Sequence, residues 1–349
     1  MACSNPNRIF VIGKNPKTGK KKIVFCSRFV RAVGVKDDGS VDRFYEDPEK
    51  DKVPFTYRSR LYKFVVSDYI DVPCGKCLGC RLAYSKQWTS RIMLELPYHD
   101  HSWFVTLTYD DEHLPINEFT DPVTSEVGES TTLVKRHVQL FMKKLRNAYP
   151  DNHLMYFFAG EYGDRSRRPH YHAIIFDLPL DDLVFYKTSP NGDIYFNSPK
   201  LEKIWSHGFV VVANVTYASA AYTARYIMKK QNVSDENSIY ARKNIEPEFC
   251  LMSQKPSIGR RYFEDHPDVY DLDYLSLAGG YRASIPKYFD YLLEKVDAER
   301  LQAIKEERKF FAQHLANIKE SMHTYDRESH FDVIHENLVS RSKHLAKDL

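Results

Sequence analysis

The chain of 349 residues is long enough for two or three structural units, and 43% of its residues are hydrophobic, as in an ordinary globular protein. Its formal net charge of +3 is only mildly basic, which excludes nucleic-acid binding through overall charge and leaves it to local basic clusters. No apolar run reaches the roughly 18 residues of a membrane span, and no secretory leader is visible, so we expect a soluble intracellular protein that is not secreted.

The first predicted elements are short strands. Residues 8–12, 23–25 and 29–35 are apolar runs separated by Gly, Pro, Lys and Asp clusters, a pattern typical of short strands and loops. A cluster of three cysteines follows. Residues 82–96 then carry apolar side chains at helical spacing until Pro97, which predicts a helix that ends there.

The middle of the chain alternates strands and helices. Residues 102–109 are β-branched and aromatic, which predicts a strand. We expect a polar loop over 110–130, and then an amphipathic helix that Thr132 caps and that runs to Tyr149. Further predicted elements are strands at 154–159 and 170–178 joined as a hairpin, a helix at 201–205, a strand at 209–215 and a helix at 217–230.

This order of elements predicts an α+β fold, with a central antiparallel β-sheet flanked by helices. From residue 286 onwards the chain is highly charged with helical periodicity, which predicts a C-terminal helical extension. We therefore expect three domains: an N-terminal lobe with the cysteine cluster at 1–97, a central domain at 98–285 and the helical extension at 286–349.

Two histidines at the head of the strand at 170–178 are candidate metal ligands. Alternate side chains on a strand share a face, so His170 and His172 point the same way. Glu161, at the end of the hairpin partner, can converge on them with a carboxylate oxygen. Mixed nitrogen and oxygen ligation with open positions suits a catalytic Mg²⁺ or Mn²⁺. The alternative interpretation is that both histidines are simply surface or core groups.

Three further residues lie on one stripe of the predicted helix at 217–230. Steps of four residues bring Tyr222, Tyr226 and Lys230 onto one face. Tyrosines at this spacing are often core packing, and that alternative stays open. A phenol, with an ordinary pKa of ~10, attacks phosphate only beside a metal-polarised phosphate and positive charge. The predicted metal site and the basic segment at 165–168 would supply both.

The cysteine cluster predicts a structural zinc site. Cys74, Cys77 and Cys80 have the spacing Cys-x2-Cys-x2-Cys, which suits a metal knuckle, and the remaining cysteines are too scattered for a disulfide framework. Buried thiols and an iron–sulfur cluster are the alternatives, although no nearby Cys-Pro completes the iron–sulfur pattern. Cys3 and Cys26 are the candidates for a fourth ligand.

Several of these segments together resemble the HUH endonucleases. His170-Tyr171-His172 resembles their His-hydrophobic-His motif, residues 104–109 resemble their first motif, and the tyrosine stripe resembles their two-tyrosine third motif. The chain from Cys3 to about Tyr262 is similar to replication-initiation proteins of the gokushovirus group of microviruses, small circular single-stranded DNA phages. Residues 73–81 and 255–259 resemble further segments of that family. Because the resemblance includes Cys3, it is our first choice as fourth zinc ligand.

The resemblance implies an RRM/ferredoxin-like nuclease that initiates rolling-circle replication. In the family, a tyrosine nicks single-stranded origin DNA and leaves a 5′-phosphotyrosine and a free 3′-OH. The second tyrosine then cleaves the regenerated origin, and strand transfer reseals the circle. By this resemblance Tyr222 and Tyr226 are nucleophiles and Lys230 stabilises phosphate charge. The metal ligands would be Glu161, His170 and His172.

The implied partners follow from what the sequence lacks. No Gly-x4-Gly-Lys-Ser/Thr loop is visible, so we expect helicase, DNA polymerase and single-strand-binding protein to come from the host, in the cytoplasm of a bacterial cell. Two other interpretations remain open: a non-catalytic zinc-dependent DNA-binding regulator, and a metal hydrolase of small phosphoesters. Covalent capture of single-stranded DNA distinguishes the nuclease interpretation from both.

Overall fold

The computed structural model describes residues 3–45, 61–163, 166–190, 192–225, 238–320 and 327–345. The chain divides into two compact units, one formed by Met1–Arg81 with Lys319–Leu349 and the other by Leu82–Ile318. The domain boundaries expected at residues 97 and 285 are not decided by this division and stay a prediction. Among the described residues, no helix is both long and apolar enough to cross a bilayer.

The first unit contains the short strands that the N-terminal pattern predicts, arranged in two three-stranded antiparallel sheets. Their orders are β2-β1-β6 and β4-β3-β5. The strands are β1 Asn7–Lys14, β2 Lys21–Ser27, β3 Val30–Val35, β4 Val41–Tyr45, β5 Phe64–Val66 and β6 Tyr69–Val72. A small core of Phe10, Cys26, Val30 and Val33 shows that Cys26 is buried among apolar side chains from the first three strands.

The second unit is built on a seven-stranded antiparallel sheet with the order β12-β13-β14-β7-β11-β10-β15. Its central strands, β14-β7-β11-β10, have the order of a ferredoxin-like β-α-β-β-α-β unit. The strands are β7 Ser102–Thr108, β10 Met155–Tyr162, β11 Pro169–Phe176, β12 Val184–Thr188, β13 Ile194–Asn197, β14 Val210–Asn214 and β15 Phe249–Met252. Two hairpins lie outside this sheet: β8 Ile116–Thr120 with β9 Val127–Thr131, and β16 Leu275–Leu277 with β17 Tyr281–Ala283.

Helices cover both faces of this sheet. They are α1 Leu78–Glu95, α2 Lys135–Ala148, α3 Pro199–Trp205, α4 Tyr217–Arg225, α5 Ile239–Arg242, α6 Arg260–Asp265, α7 Lys287–Val296, α8 Ala298–Glu320 and α9 Arg327–Leu345. One core packs α2 and α3 against one sheet face, and a second core packs α1, α4 and α7 against the other. The α+β prediction, with an antiparallel sheet between helices, a cysteine cluster near the N-terminus and helices at the C-terminus, is confirmed.

The prediction that Thr132 caps helix α2 was wrong. Val134 occupies the N-cap position without a side-chain hydrogen bond to the first turn. The Thr132 hydroxyl instead accepts a hydrogen bond from the backbone N–H of Glu246 at 2.9 Å. A distant loop therefore takes the hydroxyl that sequence pattern assigned to the helix.

The prediction of a continuous polar loop over residues 110–130 was also wrong, because this segment contains β8 and most of β9. Asp121 makes the hairpin turn: its Oδ1 atom accepts the backbone N–H groups of Val123 at 2.8 Å and Thr124 at 3.3 Å. The side chain of Arg242 donates to Oδ2 of the same carboxylate at 2.8 Å through Nε. An aspartate turn and a remote arginine thus stabilise strands whose sequence is mostly polar.

Candidate active site and metal sites

The register of β10 and β11 brings the three predicted metal ligands together. Glu161 pairs directly with His170, and His172 is the next residue of β11 on the same face. The Oε1 atom of Glu161 lies 2.6 Å from Nε2 of His170 and 3.2 Å from Nε2 of His172. Glu161 and His172 are buried, and His170 is half-buried at the edge of the site.

The hydrogen bonds of the two imidazole rings favour a bound cation. Nδ1 of His170 is 3.1 Å from the carbonyl oxygen of Arg168, which only accepts, so Nδ1 carries a proton. A neutral His170 would then aim the Nε2 lone pair at the Glu161 carboxylate. Either a second proton on the ring or a divalent cation among the three residues removes that repulsion, so these side chains fit a metal ion. Such a group of nitrogen and oxygen donors is compatible with Mg²⁺ or Mn²⁺.

The charge state of Glu161 agrees with this assignment. Burial alone would raise the pKa of Glu161, but its hydrogen bonds with His170 and His172 outweigh burial and hold that pKa well below the ordinary glutamate value. The carboxylate therefore stays ionised at neutral pH and supplies the negative charge that a divalent cation requires.

Helix α4 places Tyr222 beside the metal ligands. The Tyr222 hydroxyl lies 3.5 Å from Nε2 of His172, and the two rings meet edge to face with centroids 5.0 Å apart. The ring of His172 also stacks on Phe104, at 5.6 Å and an interplanar angle of 7°. Of the predicted catalytic residues, Tyr226 and Lys230 lie outside the described residues. The structure thus joins one predicted nucleophile to the metal ligands.

Sequence reasoning missed three residues that shape this site. Thr106 Oγ1 contacts Nδ1 of His172 at 3.0 Å, and Phe104 contacts both His172 and Tyr222. Alternation along the predicted strand at 102–109 could have found both, because their positions share a face. Arg225, on the same helix as Tyr222, lies with its guanidinium carbon 5.9 Å from the Tyr222 ring. It supplies positive charge near the phenol.

The basic segment before β11 is partly used for structure. Arg168 donates to Asp111 at 2.7 Å and to the carbonyl oxygen of Tyr109 at 2.9 Å. Arg167 lies over the Tyr162 ring at 5.3 Å, and Arg165 is outside the described residues. Arg168 therefore fixes the loop after β7 to the start of β11, beside His170.

Tyr171, between the two histidines, faces the opposite side of the sheet as alternation predicts. Its hydroxyl lies 2.8 Å from the Tyr109 hydroxyl and accepts the backbone N–H of Val134 at 2.9 Å. Burial raises the pKa of Tyr171 to about 12, so the phenol stays protonated. It is a structural residue that joins β11 to the start of α2.

The segment at 255–259 is held by helix α1. Arg91 donates through Nε to the carbonyl oxygen of Ile258 at 2.9 Å and through Nη2 to Ser257 Oγ at 2.8 Å. The backbone N–H of Gly259 donates to the Glu95 carboxylate. These bonds explain a role in packing for a segment that sequence reasoning left open between phosphate binding and plain surface.

The cysteine cluster forms a second group of metal-competent side chains. The sulfur atoms of Cys3, Cys74, Cys77 and Cys80 all lie within 4.8 Å of one another. Backbone N–H groups of Cys77 and Lys76 point at the Cys74 sulfur, at 3.2 Å and 3.4 Å. Four sulfur ligands with N–H donors to them fit a closed tetrahedral zinc site.

Cysteine protonation and position also fit such a site. Burial alone would raise the pKa of Cys77, but N–H groups of Cys80 and Ser4 lower it to about 6. A thiolate is the form that binds metal. Cys3 approaches Cys77 at 3.7 Å between sulfur atoms, whereas Cys26 lies in the apolar core of the first unit. The structure thus groups Cys3, and not Cys26, with the other three.

Comparison with known proteins gives several matches. A family model described as replication-associated protein ORF2 matches residues 102–231. The chain is 38% identical to replication-associated protein ORF2 of Spiroplasma virus 4 over 70% of this chain and 74% of that protein. It is 30% identical to replication-associated protein VP4 of Bdellovibrio phage phiMH2K, over 74% of this chain and 79% of the phage protein. It is 27% identical to replication-associated protein ORF4 of Chlamydia phage 1, over 80% and 68% respectively. No solved structure matches.

Proposed function

Because the chain belongs to the family of microvirus replication-associated proteins, we propose that it initiates rolling-circle DNA replication. In this proposal it is a metal-dependent, sequence-specific endonuclease and strand transferase that acts on single-stranded DNA at the replication origin. It forms a 5′-phosphotyrosine intermediate and reseals the circular product. Host helicase, DNA polymerase and single-strand-binding protein complete the replication machinery in the bacterial cytoplasm.

One observation carries the proposal: the Tyr222 hydroxyl lies 3.5 Å from a histidine that shares its carboxylate partner with a second histidine. A phosphodiester bound at Glu161, His170 and His172 would therefore lie within reach of a phenol. A structural tyrosine is expected to hydrogen-bond to backbone or to a core partner, as Tyr171 does. Tyr222 instead aims its hydroxyl at the donor set.

The reaction is a transesterification. The phenol of Tyr222 loses its proton, its oxygen forms a bond to phosphorus, and the P–O3′ bond breaks to release a 3′-hydroxyl. When bound, the metal ion acts as a Lewis acid on the phosphate oxygens. Arg225 adds positive charge beside the phenol, and Lys230 is proposed to neutralise phosphate charge. Because the phosphodiester energy is kept in the tyrosyl ester, Tyr226 can take part in a second exchange that closes the circle.

The cysteine group is proposed to hold structural zinc. Cys3, Cys74, Cys77 and Cys80 lie near the N-terminus and at the start of helix α1, far along the sequence from Glu161 and Tyr222. A closed set of four sulfur ligands leaves no open position for substrate. We therefore assign this site to folding of the first unit.

The test is covalent capture of the strand that carries the genome's origin. Wild-type protein with Mg²⁺ or Mn²⁺ is expected to form a denaturant-resistant protein–DNA adduct, and the Tyr222→Phe, Tyr226→Phe double variant is expected to form none. Tyr217→Phe is the matched control on the same helix, because Tyr217 stacks on Tyr281 with centroids 4.0 Å apart and does not contact the metal ligands.

Two results would overturn the proposal. A wild-type protein that binds this strand but forms no adduct would be the zinc-dependent DNA-binding regulator. Hydrolysis of small phosphoesters that is unaffected by the double variant would indicate a metal hydrolase. Replacement of Glu161 by Gln is expected to abolish adduct formation while the zinc content stays unchanged.

A further inference from the structure

The sheet face that carries the metal ligands continues onto β7 and β14. Thr108 pairs with His170 in β11, and on its other side it exchanges two backbone hydrogen bonds with Phe209, at 3.0 Å and 3.1 Å. Directly paired residues share a face of an antiparallel sheet. Phe209, Thr108, His170 and Glu161 therefore form one row across four chain segments, with the metal ligands at one end.

Phe209 is an unusual residue for this position. Its side chain is 62% exposed, although it lies only two strand spacings, or ~10 Å, from His170. The backbone holds it there: Gly208 has φ of +141°, and a Cβ atom on Gly208 would lie 2.4 Å from the backbone nitrogen of Asp110. Only glycine permits this close approach, so the aromatic ring is presented from a fixed backbone.

The same face carries a second aromatic ring and a cation further out. Tyr195 pairs with Ala213 of β14, and Lys187 pairs with Tyr195. Alternation puts Tyr195 on the face of Phe209, because Ala213 and Phe209 are four residues apart along one extended segment. The Lys187 ammonium lies 5.7 Å from the Tyr195 ring. We name Phe209, Tyr195 and Lys187 the stacking strip.

We infer that the stacking strip binds unpaired bases of single-stranded DNA next to the scissile phosphate. Bases expose their flat faces only when they are unpaired, and a base stacks on a fixed aromatic ring without sequence-specific hydrogen bonds. Lys187 provides the positive charge that a DNA backbone needs at the outer end of the strip. This inference rests on the proposed function and names the path of its substrate, from the metal ligands across β7 towards β12.

The chain offers a matched control for Phe209. Phe185, in β12, is also 62% exposed, but it pairs with Phe196, whose side chain packs against the core on the opposite face of the sheet. The two phenylalanines therefore have equal exposure and equal hydrophobicity on opposite faces. Neither substitution removes a buried side chain, so both variants are expected to keep the melting temperature of the wild type.

The experiment measures binding of a fluorescein-labelled oligothymidylate by anisotropy at one fixed salt concentration. Phe209→Ala is expected to weaken binding roughly tenfold or more, since base stacking on an aromatic ring is worth about that much in affinity. Phe209→Tyr is expected to bind as the wild type does, and Phe185→Ala is expected to have no effect. Equal effects of the two alanine substitutions, or none from either, would refute the strip.

Direct contact is tested with a fluorescent reporter. Tryptophan at position 209, introduced as Phe209→Trp, is expected to lose emission when oligothymidylate binds, whereas Phe185→Trp is expected to keep it. No change at position 209 would mean that the DNA takes another path. The outcome is separable from that of the proposed function: if wild type forms the adduct while Phe209→Ala binds normally, only the strip is wrong. If Phe209→Ala weakens binding while wild type forms no adduct, only the nuclease proposal is wrong.

Discussion

Replacing Tyr171 by Phe tests whether the residue between the two metal-binding histidines is structural. The side chain is fully buried, and its hydroxyl accepts the backbone N–H of Val134 at 2.9 Å, at the start of helix α2. It also lies 2.8 Å from the Tyr109 hydroxyl, which keeps a second partner in Nδ1 of His137 at 2.8 Å. Phenylalanine therefore leaves one group, the Val134 N–H, without its hydrogen bond.

An amide deprived of its partner in a protein interior costs about 1–3 kcal/mol, so Tyr171→Phe is expected to lower the free energy of unfolding by that amount. Urea denaturation followed by circular dichroism measures it. Tyr156→Phe, on neighbouring β10, is the control: among the described residues its hydroxyl has no hydrogen-bond partner, so we expect a change within ~0.5 kcal/mol.

Adduct formation by folded Tyr171→Phe is expected to be unchanged, because the hydroxyl points away from Glu161 and its histidine partners. A destabilisation below ~0.5 kcal/mol would show that the Val134 amide finds another partner. Loss of the adduct in a stable Tyr171→Phe protein would show that this residue acts on the metal face, against the alternation on which the site assignment depends.

Two further predictions concern other parts of the chain. Cys74→Ser is expected to reduce bound zinc from about one equivalent per chain and to lower the melting temperature, whereas Cys26→Ser is expected to keep the zinc; mass spectrometry under native conditions and a chelator titration measure both. Burial lowers the pKa of His99, but its contacts with Glu95 at 3.0 Å and Asp177 at 2.7 Å raise it by more, above the ordinary value. The stabilisation from protonated His99 is therefore complete below about pH 6.5 and is lost as pH rises through the raised pKa, so His99→Gln is expected to destabilise more at about pH 5.5 than at about pH 9 in urea titrations. An equal loss at both pH values would contradict the second prediction, and a Cys74→Ser protein that keeps its zinc would contradict the first.

The metal ligands could be predicted because they depend on local rules. Alternation places His170 and His172 on one face, and a hairpin of predictable strands brings Glu161 opposite His170. The helix with Tyr222 was predictable from its spacing, but its approach to His172 was not. That approach depends on packing of Ala220 and Ala224 in a core shared with distant strands.

The features that sequence reasoning missed depend on register between distant segments. Thr108 and Phe209 are far apart in sequence, and nothing local indicates that they become neighbours. Arg168 reads as a free basic residue until its bond to Asp111 is seen. The grouping of Cys3 with Cys74 likewise joins residues 71 positions apart, which spacing alone left open between Cys3 and Cys26.

The two halves of the candidate site are held in physically different ways. Glu161 and His170 lie on strands that pair with neighbours on both sides, so the metal ligands have a rigid backbone. Tyr222 instead lies on a short helix that contacts the sheet through small alanines and aromatic edges. Sliding or rotation of such a helix breaks no strand pairing. In the proposed reaction two tyrosines must act in turn on one metal-bound phosphate, and this arrangement keeps the phosphate fixed while the nucleophile is exchanged.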